Sequence, residues 1–99
     1  MDFEMETTAS ILAELGARVR RERLNQNRKM STIAAHAGVS TLVLNRLENG
    51  KGCTLANLIR VLRALGRLEQ LDLFLPEPQI SPIQLAKLKG KVREKASEK

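Results

Sequence analysis

Residues 38–50 read GVSTLVLNRLENG, a short segment with a glycine at each end. Between the glycines stand five aliphatic residues, Val39, Leu42, Val43, Leu44 and Leu47, and a polar set of Thr41, Asn45, Arg46 and Asn49. Helical spacing separates the two groups. Leu44 and Leu47 are three apart and Val43 precedes Leu47 by one turn, so these three share a face to bury, with Val39 packing from the turn. Leu42, Asn45, Arg46 and Asn49 are then left facing outward, with Thr41 at the edge of that face. Ser40 is placed to cap this helix and Asn49-Gly50 to stop it.

The flanking punctuation is equally legible. Ile11, Leu12, Leu15 and Val19 recur at helical spacing ahead of the arginine-rich RVRRERL, which predicts a first helix from about Thr8 to about Asn25. A second, short helix covers Ser31 to Ala37, with Ile33, Ala34 and Ala37 inward and Gly38 suited to the left-handed residue that ends it. Thr54 caps a fourth, in which Leu55, Leu58, Ile59, Leu62 and Leu65 form an apolar stripe that Gly66 closes. A fifth piece, RLEQLDLFLP, sets Leu68, Leu71 and Leu75 on one face and is stopped by Pro76. Nothing alternates as a strand does, so the fold class expected is all-α. Residues 8–75 form one five-helix domain, and residues 76–99 a proline-containing linker and basic tail. Within the tail, Ser81, Pro82 and Gln84 have the features of a helix start. Leu85, Leu88, Val92 and Ala96 lie on one face and Lys87, Lys91 and Lys95 on another, a composition equally suited to a frayed tail and to one that orders on a partner.

Ninety-nine residues suffice for one modest core. The formal charge is +6, with 17 Lys plus Arg against 11 Asp plus Glu, and favours an anionic partner. The charge is unevenly placed. Residues 1–14 carry four acids and no base, residues 18–29 six bases and one acid, and residues 79–99 six bases and two acids. A single cysteine, Cys53, rules out an internal disulfide and suits a reducing compartment. No apolar run approaches membrane-spanning length and the acidic start is unlike a secretory signal, so a cytoplasmic location and no membrane contact are expected. With one histidine, His36, no metal ligand set can be assembled, and no phosphate loop or nucleophile–base pair appears. No cofactor, metal or catalytic site is expected, and the chain does not read as an enzyme. Cys53 is expected as a small packing residue and His36 as a partly exposed helix residue. The arginine run of the first helix, Arg18, Arg20, Arg21 and Arg23, reads as a face toward the anionic partner, with a solvated helix face as the alternative.

A short helix buried on one side, displaying donors on the other and joined to its predecessor by the tight AGVS turn, has the outline of a helix-turn-helix. A DNA major groove about 12 Å wide accepts one such helix when a second braces it. The stretch STIAAHAGVSTLVLNRLENGKGCTLANLIRVLRALG, residues 31–66, resembles the lambda-repressor-like, XRE-type helix-turn-helix family, a likeness covering about residues 12–75. The resemblance implies operator-DNA binding as a homodimer, with base contacts from Thr41, Leu42 and Arg46 and phosphate contacts from Ser40, Asn49 and Lys51. Asn45, on the same outer face, joins the base-reading candidates. The resemblance further implies an interior ion pair between Arg23 and Glu48. The likeness breaks where the second helix opens. The family has an apolar residue, then Thr or Ser, then Gln, and this chain has Arg28, Lys29 and Met30. Arg28 and Lys29 are expected to replace the lost phosphate contact with plain charge, which Met30 cannot do. Residues 60–91 are also similar to small regulators paired with HipA-type kinase toxins, which implies an antitoxin that represses its own operon. A stand-alone repressor is the alternative. Leu71, Phe74 and Leu75 are the candidate dimer or partner face. An RNA-binding module ranks last, because the chain holds two Phe, no Tyr and no Trp on which bases could stack.

Overall fold

The computed structural model of the chain describes residues 1–76 and Pro78, and every regular element among them is helical. Helix α1 runs Thr8–Asn25, α2 Met30–Ala37, α3 Thr41–Glu48 and α4 Leu55–Ala64. A fifth helix, Leu68–Leu73, and a single turn at Phe3–Met5 are 3₁₀. The expected tail helix beginning at Ser81 lies outside the described residues. Three of the four α-helices start as hydroxyl caps dictate: Thr7, Ser40 and Thr54 accept from the N–H groups of Ser10, Val43 and Asn57 at 3.0, 3.1 and 3.1 Å. Helix α2 is the exception. Its cap is Lys29, which makes no side-chain bond to the first turn.

The turn between α2 and α3 depends on Gly38, whose φ of 73° is the left-handed conformation. A side chain there would cost about 1–2 kcal/mol. That conformation lets the Gly38 and Val39 N–H groups close on the Ala35 and Ala34 carbonyls at 3.2 and 3.0 Å, and α3 begins two residues later. Helix α2 packs against both α3 and α4, while α1 packs against α3. The core lies where they meet and comprises Val19, Ile33, Ala34, Ala37, Leu44, Leu47, Val61 and Leu65, with Ile33, Leu44 and Val61 fully enclosed. Met30, Val39, Leu58 and Ala64 lean on it from the edge.

Two apolar stripes are shifted from the sequence expectation. In α4 the buried position is Val61, followed by Leu65 just past the helix end, whereas Leu58, Ile59 and Leu62 are half-buried and Leu55 is exposed. Helix α4 packs on α2, with Val61 and Leu65 in the core and Leu58 at its edge. In α1 the buried line is Gly16, Val19 and Arg23 rather than Leu15, which stands at the surface. The cause is the closeness of α3, which favours a residue without a side chain at position 16. The fifth helix is altered too. In a 3₁₀ helix residues three apart eclipse, so Leu68 and Leu71 stay half-buried together while the chain leaves the helix after Leu73. Leu73, Phe74 and Leu75 all point outward.

The loop from α1 to α2 holds these pieces in register. Asn27 takes a left-handed φ of 55°, which asparagine tolerates better than most residues, and Arg28 N–H closes on the Arg23 carbonyl. From this loop Gln26 Nε2 donates to the Leu65 carbonyl and Arg28 Nη1 to the Ala64 carbonyl, both at 2.8 Å. These are carbonyls that the end of α4 leaves without helical partners.

Candidate functional site

Helix α3 projects a ladder of side chains away from the core. Thr41, Leu42, Asn45, Arg46 and Asn49 are all exposed, spaced so that they lie along one side of the helix, while Leu44, Leu47 and Glu48 are buried on the other. Leu42 is 66% exposed and so stands free of the core. The Arg46 guanidinium makes no hydrogen bond to another described residue and stands ready for an external acceptor. Asn49 uses one amide hydrogen on the Asn45 carbonyl at 2.8 Å, which leaves its second hydrogen and its oxygen outward. Ser40 caps the helix as an acceptor, so its hydroxyl hydrogen is still available to a ligand oxygen. Lys51 lies just past the helix, where its N–H closes on the Arg46 carbonyl at 2.8 Å and its ammonium is exposed.

The other basic candidates divide by role. Lys29 is exposed at the start of α2. Arg28 is half-buried: its guanidinium donates to the Ala64 carbonyl and meets His36 Nδ1, so it also ties the loop to the end of α4. Met30 is half-buried against the core and offers no polar atom. His36 is exposed, as is Cys53, which is therefore a surface thiol and not the packing residue expected from its place before the Thr54 cap. The arginines of α1 have three different fates. Arg18 pairs with Glu14 at 2.8 Å and lies 5.4 Å from the Phe3 ring centroid. Its hydrogen bond to the Glu14 carboxyl holds that group below its ordinary range. Arg20 and Arg21 are exposed and form no ion pair among the described residues.

Arg23 is the buried one. Its Nε and Nη2 donate to the two Glu48 carboxylate oxygens at 2.7 and 2.9 Å, a bidentate fork, and Nη1 donates to the Arg28 carbonyl at 3.0 Å. The Glu48 carboxylate raises the Arg23 pKa above its ordinary value against the opposing effect of burial, so the guanidinium stays charged. This pair joins the end of α3 to α1, which fixes the angle at which the outward ladder is presented. Two parts of this arrangement were not anticipated from the sequence: the trans-capping of α4 by Gln26 and Arg28, and the role of Gly16. The first has no local signal, since its partners are 39 and 36 residues apart. The second had one, because a glycine inside a helix costs about 1 kcal/mol relative to alanine and calls for a packing reason.

Among the described residues no three metal-ligating side chains cluster, and no helix is long and apolar enough to cross a membrane. The sequence model of a family described as Helix-turn-helix matches residues 19–70, a span that begins in α1 and ends in the fifth helix. No curated protein matches the chain.

Proposed function

The chain belongs to the XRE-type helix-turn-helix family of DNA-binding transcription regulators, and from that premise we propose that it is a repressor reading operator DNA with the outer face of α3. The observation that supports this most is the exposed ladder itself, in which Arg46 makes no hydrogen bond to another described residue and Leu42 is largely exposed. Arg46 is the main reader in this proposal, because a guanidinium can donate two parallel hydrogen bonds to O6 and N7 of guanine. Leu42 suits a thymine methyl, Thr41 and Asn45 supply further contacts to base edges, and Lys29, Ser40, Asn49 and Lys51 hold phosphates. Arg20 and Arg21 add long-range attraction. The protein acts in this reading as a homodimer on two half-sites about one helical turn apart, through a face that includes Leu71, Phe74 and Leu75. Its place of action is the cytoplasm, on the nucleoid when bound.

Arg46→Ala and Lys51→Ala distinguish base reading from charge. Arg46→Ala is expected to weaken operator binding by about 1–3 kcal/mol and to relax preference at one base pair. Lys51→Ala is expected to weaken operator and random DNA alike and to lower the log-log salt slope by about 0.9, the contribution of one phosphate. Both are read by titrating operator and scrambled duplexes at several salt concentrations. Equal losses on both duplexes for Arg46→Ala would reduce Arg46 to a phosphate contact, and a wild-type affinity indifferent to salt would remove the DNA reading altogether.

The finer proposal is that this repressor is the antitoxin of a HipA-type kinase toxin. Its support is the sequence likeness of residues 60–91. Affinity purification of the tagged chain from its native cells is expected to bring down a kinase-like protein in stoichiometric amount. Recovery of the homodimer alone favours a stand-alone repressor.

A further inference from the structure

Between α1 and α4, beside the fifth helix, the described chain leaves an apolar groove of about 480 Å³. Leu15, Leu58, Leu62 and Leu65 line it, and Arg18 and Arg67 stand on its rim. A cavity of about 150 Å³ takes a benzene ring, so a space of this size admits several apolar side chains. The chain's own Leu73, Phe74 and Leu75 do not enter it, being 74%, 73% and 83% exposed. They nevertheless begin only three residues after Gln70, which lines the groove. One molecule thus carries an apolar hollow and, at its edge, an apolar prominence turned away from it.

We infer that the occupant of this groove is the Leu73–Leu75 segment of a second copy, exchanged reciprocally across a two-fold axis. This deepens the homodimer reading above and rests on it, by naming the surface that receives each partner's segment. Adjacency is the reason to choose a second copy. Because hollow and prominence adjoin, one two-fold operation places each copy's segment in the other's groove and the assembly closes at two. A hollow remote from its prominence would build an open chain of molecules instead. The rim carries charges of both signs. Arg18 and Arg67 pair with the half-buried Glu14 and Glu22 at 2.8 and 3.2 Å, and Glu22 lines the groove as well. Both guanidinium side chains stay about half exposed, where the segment's exposed Asp72 can reach them.

The test uses the full chain carrying Cys53→Ser, so that introduced cysteines are the only thiols. A Leu15→Cys chain and a Phe74→Cys chain are mixed under mild oxidation, and a disulfide-linked heterodimer is expected to exceed either homodimeric product by about tenfold. Phe74→Glu, at an exposed position, is expected to leave the melting temperature of the monomer unchanged and to raise the dimer dissociation constant roughly tenfold or more in sedimentation, as loss of a buried aromatic anchor does. A dimer by sedimentation in which this heterodimer does not form and Leu15→Glu has no effect overturns the groove assignment and leaves the dimer reading intact. A monomer at all concentrations, with and without operator DNA, takes both away. If truncation after Pro78 exposes the Leu15→Cys thiol to alkylation in the monomer, the occupant is the chain's own C-terminal segment and the exchange is wrong.

Discussion

Arg23→Ala is expected to lower the stability of the fold by about 3–5 kcal/mol, because it leaves the Glu48 carboxylate buried without its counter-charge. The side chains of Arg23 and Glu48 are 9% and 2% exposed, so the carboxylate has little bulk solvent to compensate it. The same substitution removes the bond to the Arg28 carbonyl. Against a total of about 5–15 kcal/mol for a small domain, that is a fifth or more of the stability. An exposed pair would cost under about 1 kcal/mol, so urea or thermal melts of Arg23→Ala and Glu48→Gln separate the two cases clearly. Near-wild-type midpoints in both variants would mean that the fork contributes little. Replacing both partners by apolar residues, as in Arg23→Met with Glu48→Leu, is expected to recover most of the loss, since the dominant cost lies in leaving one charge unpaired. Because the Arg23 pKa is raised, the pair's contribution from that side is fully present below the ordinary guanidinium range and is lost only as pH rises through the higher folded value. Melts at neutral and mildly alkaline pH should therefore agree.

Gly16→Ala is expected to destabilise the domain by about 2 kcal/mol or more, although helix propensity alone predicts a gain of about 1 kcal/mol. A Cβ at position 16 would lie 2.2 Å from the Leu47 carbonyl oxygen and 3.0 Å from that of Glu48. Both atoms are backbone, so relief requires α1 and α3 to separate. The added methyl would then strain the site twice over, because the helix it displaces carries Arg46 on its far side and Glu48 of the ion pair at its end. Ala17→Gly on the exposed neighbour is the control and should cost about 1 kcal/mol through propensity alone. If Gly16→Ala melts at or above the wild-type temperature, the close approach of the two helices is not as described. If it folds, its affinity for operator DNA should fall below that of Ala17→Gly, since the helix proposed to read the bases is displaced.

Much of this domain is legible along the chain. The hydroxyl caps at Ser40 and Thr54, the left-handed glycine after α2 and the glycines that close α3 and α4 are local devices, each acting within about five residues. Sequence alone therefore delimited α1 to α4 to within a residue or so, though not the fifth helix, which ends at Leu73. Helical period placed Leu44 and Leu47 inward and Asn45 and Arg46 outward. Family likeness contributed the idea of an Arg23–Glu48 pair, which no period reveals. Quantities that depend on how closely two helices approach were not available to such reading. The burial of Gly16 at the expense of Leu15, the shift of the α4 stripe onto Val61, and the bond from Arg28 to the Ala64 carbonyl are all decided by neighbours far away in sequence. Periodicity gives the direction of a side chain from its own axis, but whether that direction meets solvent, a backbone carbonyl or another helix depends on interhelical distance and angle. Those are set only when the four helices pack together, and that packing leaves Leu73, Phe74 and Leu75 outside an apolar groove that the described chain does not fill.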